Sequence, residues 1–186
     1  PGLIALTHDL TPAGGLRELA RPDLVDLVEF LDENASLAIP DGEAVLYIDT
    51  VTIDSTVTVH DWTGERLPYH ASAAGLALMS TWCDDDLRRY AAGGLEPYTA
   101  STVTTLAGLR RKMDEVGCTG VVWTLQEFSD DVNGVGAPII GPEGAAIGAV
   151  NLYGPDYRFP GDRDVADIAT AMTEACARIG ARLPQG

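Results

Sequence analysis

The chain has 186 residues, 46% of them hydrophobic, and a formal net charge of −16 at pH 7. That length suits one domain with a sizeable core, and no stretch approaches the ~18 apolar residues that a membrane span needs. With one lysine (Lys112) and eleven arginines against 28 acidic residues, it has no basic face for phosphates, so by itself it is not expected to bind nucleic acid. No charged-then-apolar leader opens the sequence, and Pro1 in place of methionine points to a fragment or a processed product.

Residues 1–13 read as a loose or partly helical lead-in, broken at Gly14-Gly15. From Leu16 to Glu33, Leu16, Leu19, Leu24, Leu27, Val28 and Leu31 recur at helical spacing, and Pro22 sets a new first turn or a kink. Ser36–Ile39, the Asp41-Gly42 turn and Ala44–Val51 predict a hairpin. Val57–His60 alternates as a third short strand.

The stretch from Gly64 to Trp82 organises the rest. A polar turn leads into Leu67-Pro68, then a run of very small residues, Ala71, Ser72, Ala73, Ala74 and Gly75, precedes Leu76, Met79 and Trp82 at helical spacing. Ser72 is placed to cap that helix. A helix start without bulk leaves its first N–H groups open to an anion or carboxylate. Close packing of the same turn against a sheet would ask for the same residues.

Asp84–Tyr90 continues as a second short helix, and Leu106–Val116 forms a third, stopped at Gly117. Val121–Leu125 is a buried strand, and Glu127–Asp131 an acidic, solvated loop. Gly134–Ile140 is a strand broken by Pro138, Ala145–Tyr153 is the last strand, and Arg163–Leu183 closes as an amphipathic helix. This order predicts an α+β sandwich, a roughly six-stranded, largely antiparallel sheet flanked by helices. The sequence lacks G-x-G-x-x-G after a first strand, a Walker loop and G-x-S-x-G. Cys83, Cys118 and Cys176 are far apart and odd in number, which argues against zinc and for a reducing cytoplasm, each being a small buried or half-buried residue. Asp84, Asp85 and Asp86 beside Cys83 disfavour a thiolate. No cofactor, metal or catalytic group is expected.

Three ordered blocks carry a resemblance. RLPYHASAAGLAL, EPYTASTVTTLAGLRRKMDEVGCTGVVWTLQEF and GAPIIGPEGAAIGAVNLYGP are similar to the effector-binding domain of IclR-family transcriptional regulators, as is RPDLVDLVEFLDENASLAIPDGEAVLYIDTV. The resemblance runs from about Leu16 to Leu183. It implies a GAF-like domain over 16–186, with residues 1–15 leading in from a winged helix-turn-helix half that this chain lacks.

It further implies a cytoplasmic regulator, a homodimer or homotetramer that meets DNA only through that other half and no membrane. A small organic effector, a carboxylic or aromatic acid, would sit between the sheet and the small-residue helix start. The backbone of Ala73 and Ala74 would meet its acceptor group, and Leu67 and Val59 would supply apolar wall. Thr124, Val132, Gly134, Asn151 and Tyr153 would face the pocket. Where the family shows lysine, this chain has Leu76, and Asn151 and Tyr153 stand where two serines are frequent. The added ring of Tyr153, with Trp62 and Trp123 nearby in sequence, points to a larger, ring-bearing ligand or to a filled cavity. A ligand-free oligomerisation module and a GAF-fold enzyme are the competing readings.

Overall fold

The structure, a computed structural model, describes residues 12–53 and 60–184, with side chains from residue 15 onward. Helix α1 spans Pro12–Leu31, and strands β1 (Asn34–Asp41) and β2 (Ala44–Val51) follow as the expected hairpin, closed by the Asp41–Ala44 pair. The glycine pair does not break α1, and the helix is continuous through Pro22, which lies on its exposed side. The reason is tertiary: Leu16, Ala20, Leu24, Leu27, Val28 and Leu31 are buried along one stripe, and that burial outweighs the glycine pair and the proline.

The third strand, β3, is Arg66–Pro68, which takes in the last residue of the expected polar turn and the Leu67-Pro68 pair after it. It pairs with β2 at the sheet edge, where a proline is tolerated. Of the alternating stretch Val57–His60, residues 57–59 lie outside the described residues and His60 is in no strand; residues 1–11 of the expected lead-in and linker also lie outside them.

Helix α2 (Ala73–Leu78) is six residues long and runs into a 3₁₀ turn over Met79–Thr81. Helices α3 (Asp84–Ala92) and α4 (Leu106–Thr119) come next. Helix α4 runs through Gly117 and stops at Gly120, whose φ of 78° needs a residue without a side chain. Strands β4 (Val122–Leu125), β5 (Val132–Ile140) and β6 (Ala146–Pro155) precede the closing helix α5 (Val165–Ala181), which Asp164 caps by accepting from Ala166 N at 2.8 Å. Pro138 does not interrupt β5 and stays in register with Ala149.

The six strands form one antiparallel sheet in the order β3-β2-β1-β6-β5-β4. Period-2 alternation divides it into two faces. Val135, Leu152 and Ala35 turn toward α1 and α5, while Val122, Ala149 and Ala38 turn toward α2, α3 and α4. Buried carboxylates pair with partly exposed arginines on the α1 and α5 side: Asp23 holds Arg178 at 2.7 Å and also pairs with Arg182, and Glu33 holds Arg158 at 2.7 Å. Among the described residues, no helix is long and apolar enough to cross a membrane.

Candidate functional site

Register brings the site together. Thr124 pairs with Gly134, Gly134 with Tyr153, and two residues along, Gly136 pairs with Asn151. Directly paired residues share a face, so Thr124, Gly134, Tyr153 and Asn151 form a patch under the start of α2. Ser72 caps α2 as expected: its Oγ accepts from Gly75 N at 3.2 Å and donates to Pro68 O at 2.9 Å.

A small cavity of about 40 Å³ lies between them, lined by Leu67, Ala73, Thr124, Val132, Gly134, Asn151 and Tyr153, with Tyr47, Trp62, Ser72 and Phe128. Of the nine residues expected here, Ala74 does not line it, and Val59 lies outside the described residues. Ala74 is instead fully buried in the hydrophobic core, and the turn itself is closely packed. A Cβ built on Gly136 would lie 2.2 Å from Ala73 O and 3.1 Å from Ala74 N, so the Ala73–Ala74 peptide rests on the bare backbone of β5. The small residues of this turn bring helix and sheet together, and only Ala73 also reaches the cavity.

Gly134 makes the free space. A Cβ there would be 3.1 Å from Thr124 Oγ1, 3.4 Å from Asn151 Oδ1 and 3.6 Å from Ala73 Cβ. The opposite wall is aromatic. Tyr153 is 1% exposed, and its hydroxyl donates to His60 O at 3.1 Å. Burial pushes its phenol up to about 12 and Tyr47 higher still, so both stay protonated donors. The Trp62 ring packs edge-on against Phe128 at 5.5 Å and His60 at 4.5 Å.

Several sequence expectations are corrected around it. Trp123 faces the other side of the sheet, stacked near Phe159 at 5.5 Å, because it alternates with Thr124. Leu76, at the family's lysine position, is fully buried in the core and not in the cavity. Glu127 is not part of a solvated loop: it is 5% exposed and takes Lys112 Nζ at 2.6 Å, while Thr99 and Thr102 donate to the carbonyls of Gln126 and Glu127. Burial holds the Glu127 carboxyl above the usual range, opposed by Lys112, and its Oε2 has no partner. Cys83 and Cys118 are exposed, and only Cys176 is buried.

Tyr47 and Phe128 were missed as cavity residues. Alternation with Val45 would have placed Tyr47 on this face of β2; Phe128 sits on a loop, which has no period to read. Among the described residues no group of three or more His, Cys, Asp or Glu is arranged to hold a metal ion.

The sequence profile described as bacterial transcriptional regulator IclR C-terminal matches residues 10–182. BhcR of Paracoccus denitrificans, an HTH-type transcriptional regulator, is 30% identical over 166 residues, covering 89% of this chain and 59% of that protein. A solved regulator from Rhodococcus sp. RHA1 is 28% identical with a TM-score of 0.82, over 89% of this chain and 68% of that one. An IclR homolog from Microbacterium hydrocarbonoxydans, solved in complex with 4-hydroxybenzoate, is 24% identical with a TM-score of 0.84, over 96% and 72%. The chain spans about three fifths of the length of the curated relatives it matches.

Proposed function

Since this chain belongs to the family of IclR C-terminal domains of bacterial transcriptional regulators, we propose that it is the part that senses a small organic effector. The ligand is an aromatic or other carboxylic acid held between the start of α2 and the sheet. The observation that carries this reading is the convergence of α2, β2, β3, β4, β5 and β6 on one cavity with a hydroxyl at Thr124, an amide at Asn151 and phenols at Tyr47 and Tyr153. DNA contact, in this reading, belongs to a winged helix-turn-helix segment outside these 186 residues, which agrees with the net charge of −16. The domain acts as a dimer or tetramer, and ligand occupancy shifts the spacing of the paired reading heads.

At about 40 Å³ the cavity has room for about one water molecule. An aromatic acid therefore enters only if Trp62 and Tyr153 move, and part of its binding free energy is spent on that shift. The same volume favours a second reading, in which the aromatic side chains fill the space permanently and the domain serves oligomerisation alone.

A thermal-shift screen of the chain against aromatic and aliphatic carboxylic acids, 4-hydroxybenzoate included, separates the two. A ligand at about 100 times its Kd stabilises by about 2.7 kcal/mol, which raises the melting point by about 5–10 °C in a domain of this size. Gly134→Val, which fills the cavity, should abolish the rise while keeping the circular dichroism of the parent. No rise across the panel would instead favour the oligomerisation reading.

A further inference from the structure

Among the described residues, a larger hollow than the cavity under α2 has a mixed polar and aromatic lining. A groove of about 620 Å³ opens where the β1–β2 turn, the end of β3 and helix α3 meet, within the size range of small-ligand sites. Its floor is aromatic and rigid. The rings of Trp82 and Tyr90 stand nearly perpendicular, 76° apart with centroids at 5.8 Å. Both lean on the buried Tyr69, at 5.0 and 5.8 Å.

His70, only 3% exposed, pins this floor from below. Its Nε2 donates to Glu96 O at 3.0 Å, and its Nδ1 lies in hydrogen-bond contact with the Tyr90 hydroxyl at 2.9 Å. Tyr98, 41% exposed, adds a third ring over His70 at 6.1 Å. The charge around these rings is one-sided: carboxylates come from Glu43, Asp86 and Glu96, and the cation is Arg89, already bound to Asp86 at 3.0 Å. Asp86 is paired with Arg89, and among the described residues Glu43 and Glu96 form no ion pair, the Glu96 carboxylate accepting only a 3.4 Å hydrogen bond from the Tyr98 hydroxyl at the edge of an aromatic box.

Ring faces carry negative potential, and perpendicular rings with carboxylates nearby are the arrangement that recognises an organic ammonium ion. We propose that this groove is a second ligand site, for a small organic molecule bearing an ammonium group. The cation sits against Trp82, Tyr90 and Tyr98, and Glu43 and Glu96 balance its charge. An acidic effector would be repelled here, so the two sites select opposite charges. The groove is not isolated from the cavity under α2, because Tyr98 packs on Phe128 at 5.0 Å and Phe128 on Trp62 at 5.5 Å, and both Phe128 and Trp62 line that cavity.

Choline and its uncharged carbon isostere, 3,3-dimethylbutan-1-ol, test this directly on the 186-residue chain. Each is titrated at constant ionic strength and followed by tryptophan fluorescence and calorimetry. Saturable choline binding is expected, with the isostere about tenfold weaker or unbound. Tyr98→Ala and Glu96→Gln, both at exposed positions, should each weaken choline by about five- to tenfold. Gly134→Val, which blocks the other cavity, should leave choline binding unchanged, so failure of the acid-effector reading and failure of this one are told apart. Absence of saturable choline binding, equal binding of the isostere, or indifference to both Tyr98→Ala and Glu96→Gln would overturn the proposal.

Discussion

Replacing Gly136 by alanine tests whether the start of α2 is held on bare backbone. The new Cβ would fall 2.2 Å from Ala73 O and 2.5 Å from Ala73 C, and neither is the tip of a flexible side chain. Ordinary contact between such atoms needs roughly 3.5 Å, so α2 or β5 must yield by about 1 Å. Strain of that kind in a packed interior costs about 1–3 kcal/mol and sometimes more. Both partners here are backbone in regular elements, which puts Gly136→Ala at about 3 kcal/mol. In a domain of this length that lowers the melting point by about 6–12 °C. Urea denaturation at unchanged m-value, together with thermal melting, reads both quantities. A loss below about 1 kcal/mol would mean that the helix start rides over the sheet with slack, and the close-packing account of Ala73 and Ala74 would be wrong.

Gly117→Ala should act in the opposite sense. Gly117 lies inside α4 with nothing within 4 Å of the added Cβ, so a gain of about 0.5–1 kcal/mol in urea is expected. Lys112→Met removes the ammonium that faces buried Glu127 and should cost about 3 kcal/mol near pH 7. The sign with pH follows from the raised Glu127 pKa. Above its unfolded value the folded state retains the proton longer, so stability declines as pH rises through that window. The cost of Lys112→Met should therefore shrink when denaturation is repeated at about pH 5, and a cost independent of pH would remove Glu127 from the explanation. Thiol titration of the native chain should find Cys83 and Cys118 accessible. Cys176, fully buried with its thiol pushed up to about 12, should react only on unfolding.

The sequence by itself determined the features set by backbone periodicity and by residues with special backbone demands. Alternation along β6 put Asn151 and Tyr153 on one face, Asp41-Gly42 marked the hairpin, and Ser72 capped α2. Ordered motif blocks pointed to the family over nearly the whole chain. Where two residues satisfy the same local rule, the sequence could not choose between them. Gly117 and Gly120 both suit a helix end, and only the positive φ of 78° at Gly120 makes it the stop.

Tertiary structure decided what depends on distant segments meeting. Ala73 and Ala74 look alike in sequence, yet only Ala73 borders the cavity, and the peptide that joins them lies on β5 because Gly136 is apposed to it from a strand more than 60 residues away. Glu127 reads as a member of an acidic loop until Lys112, 15 residues earlier, is brought beside it. The size of the cavity is the hardest quantity to read from sequence. It is the small difference between the space enclosed by several elements and the volume of the side chains they carry. Neither Tyr153 nor Trp62 reveals which way it will turn until both are packed.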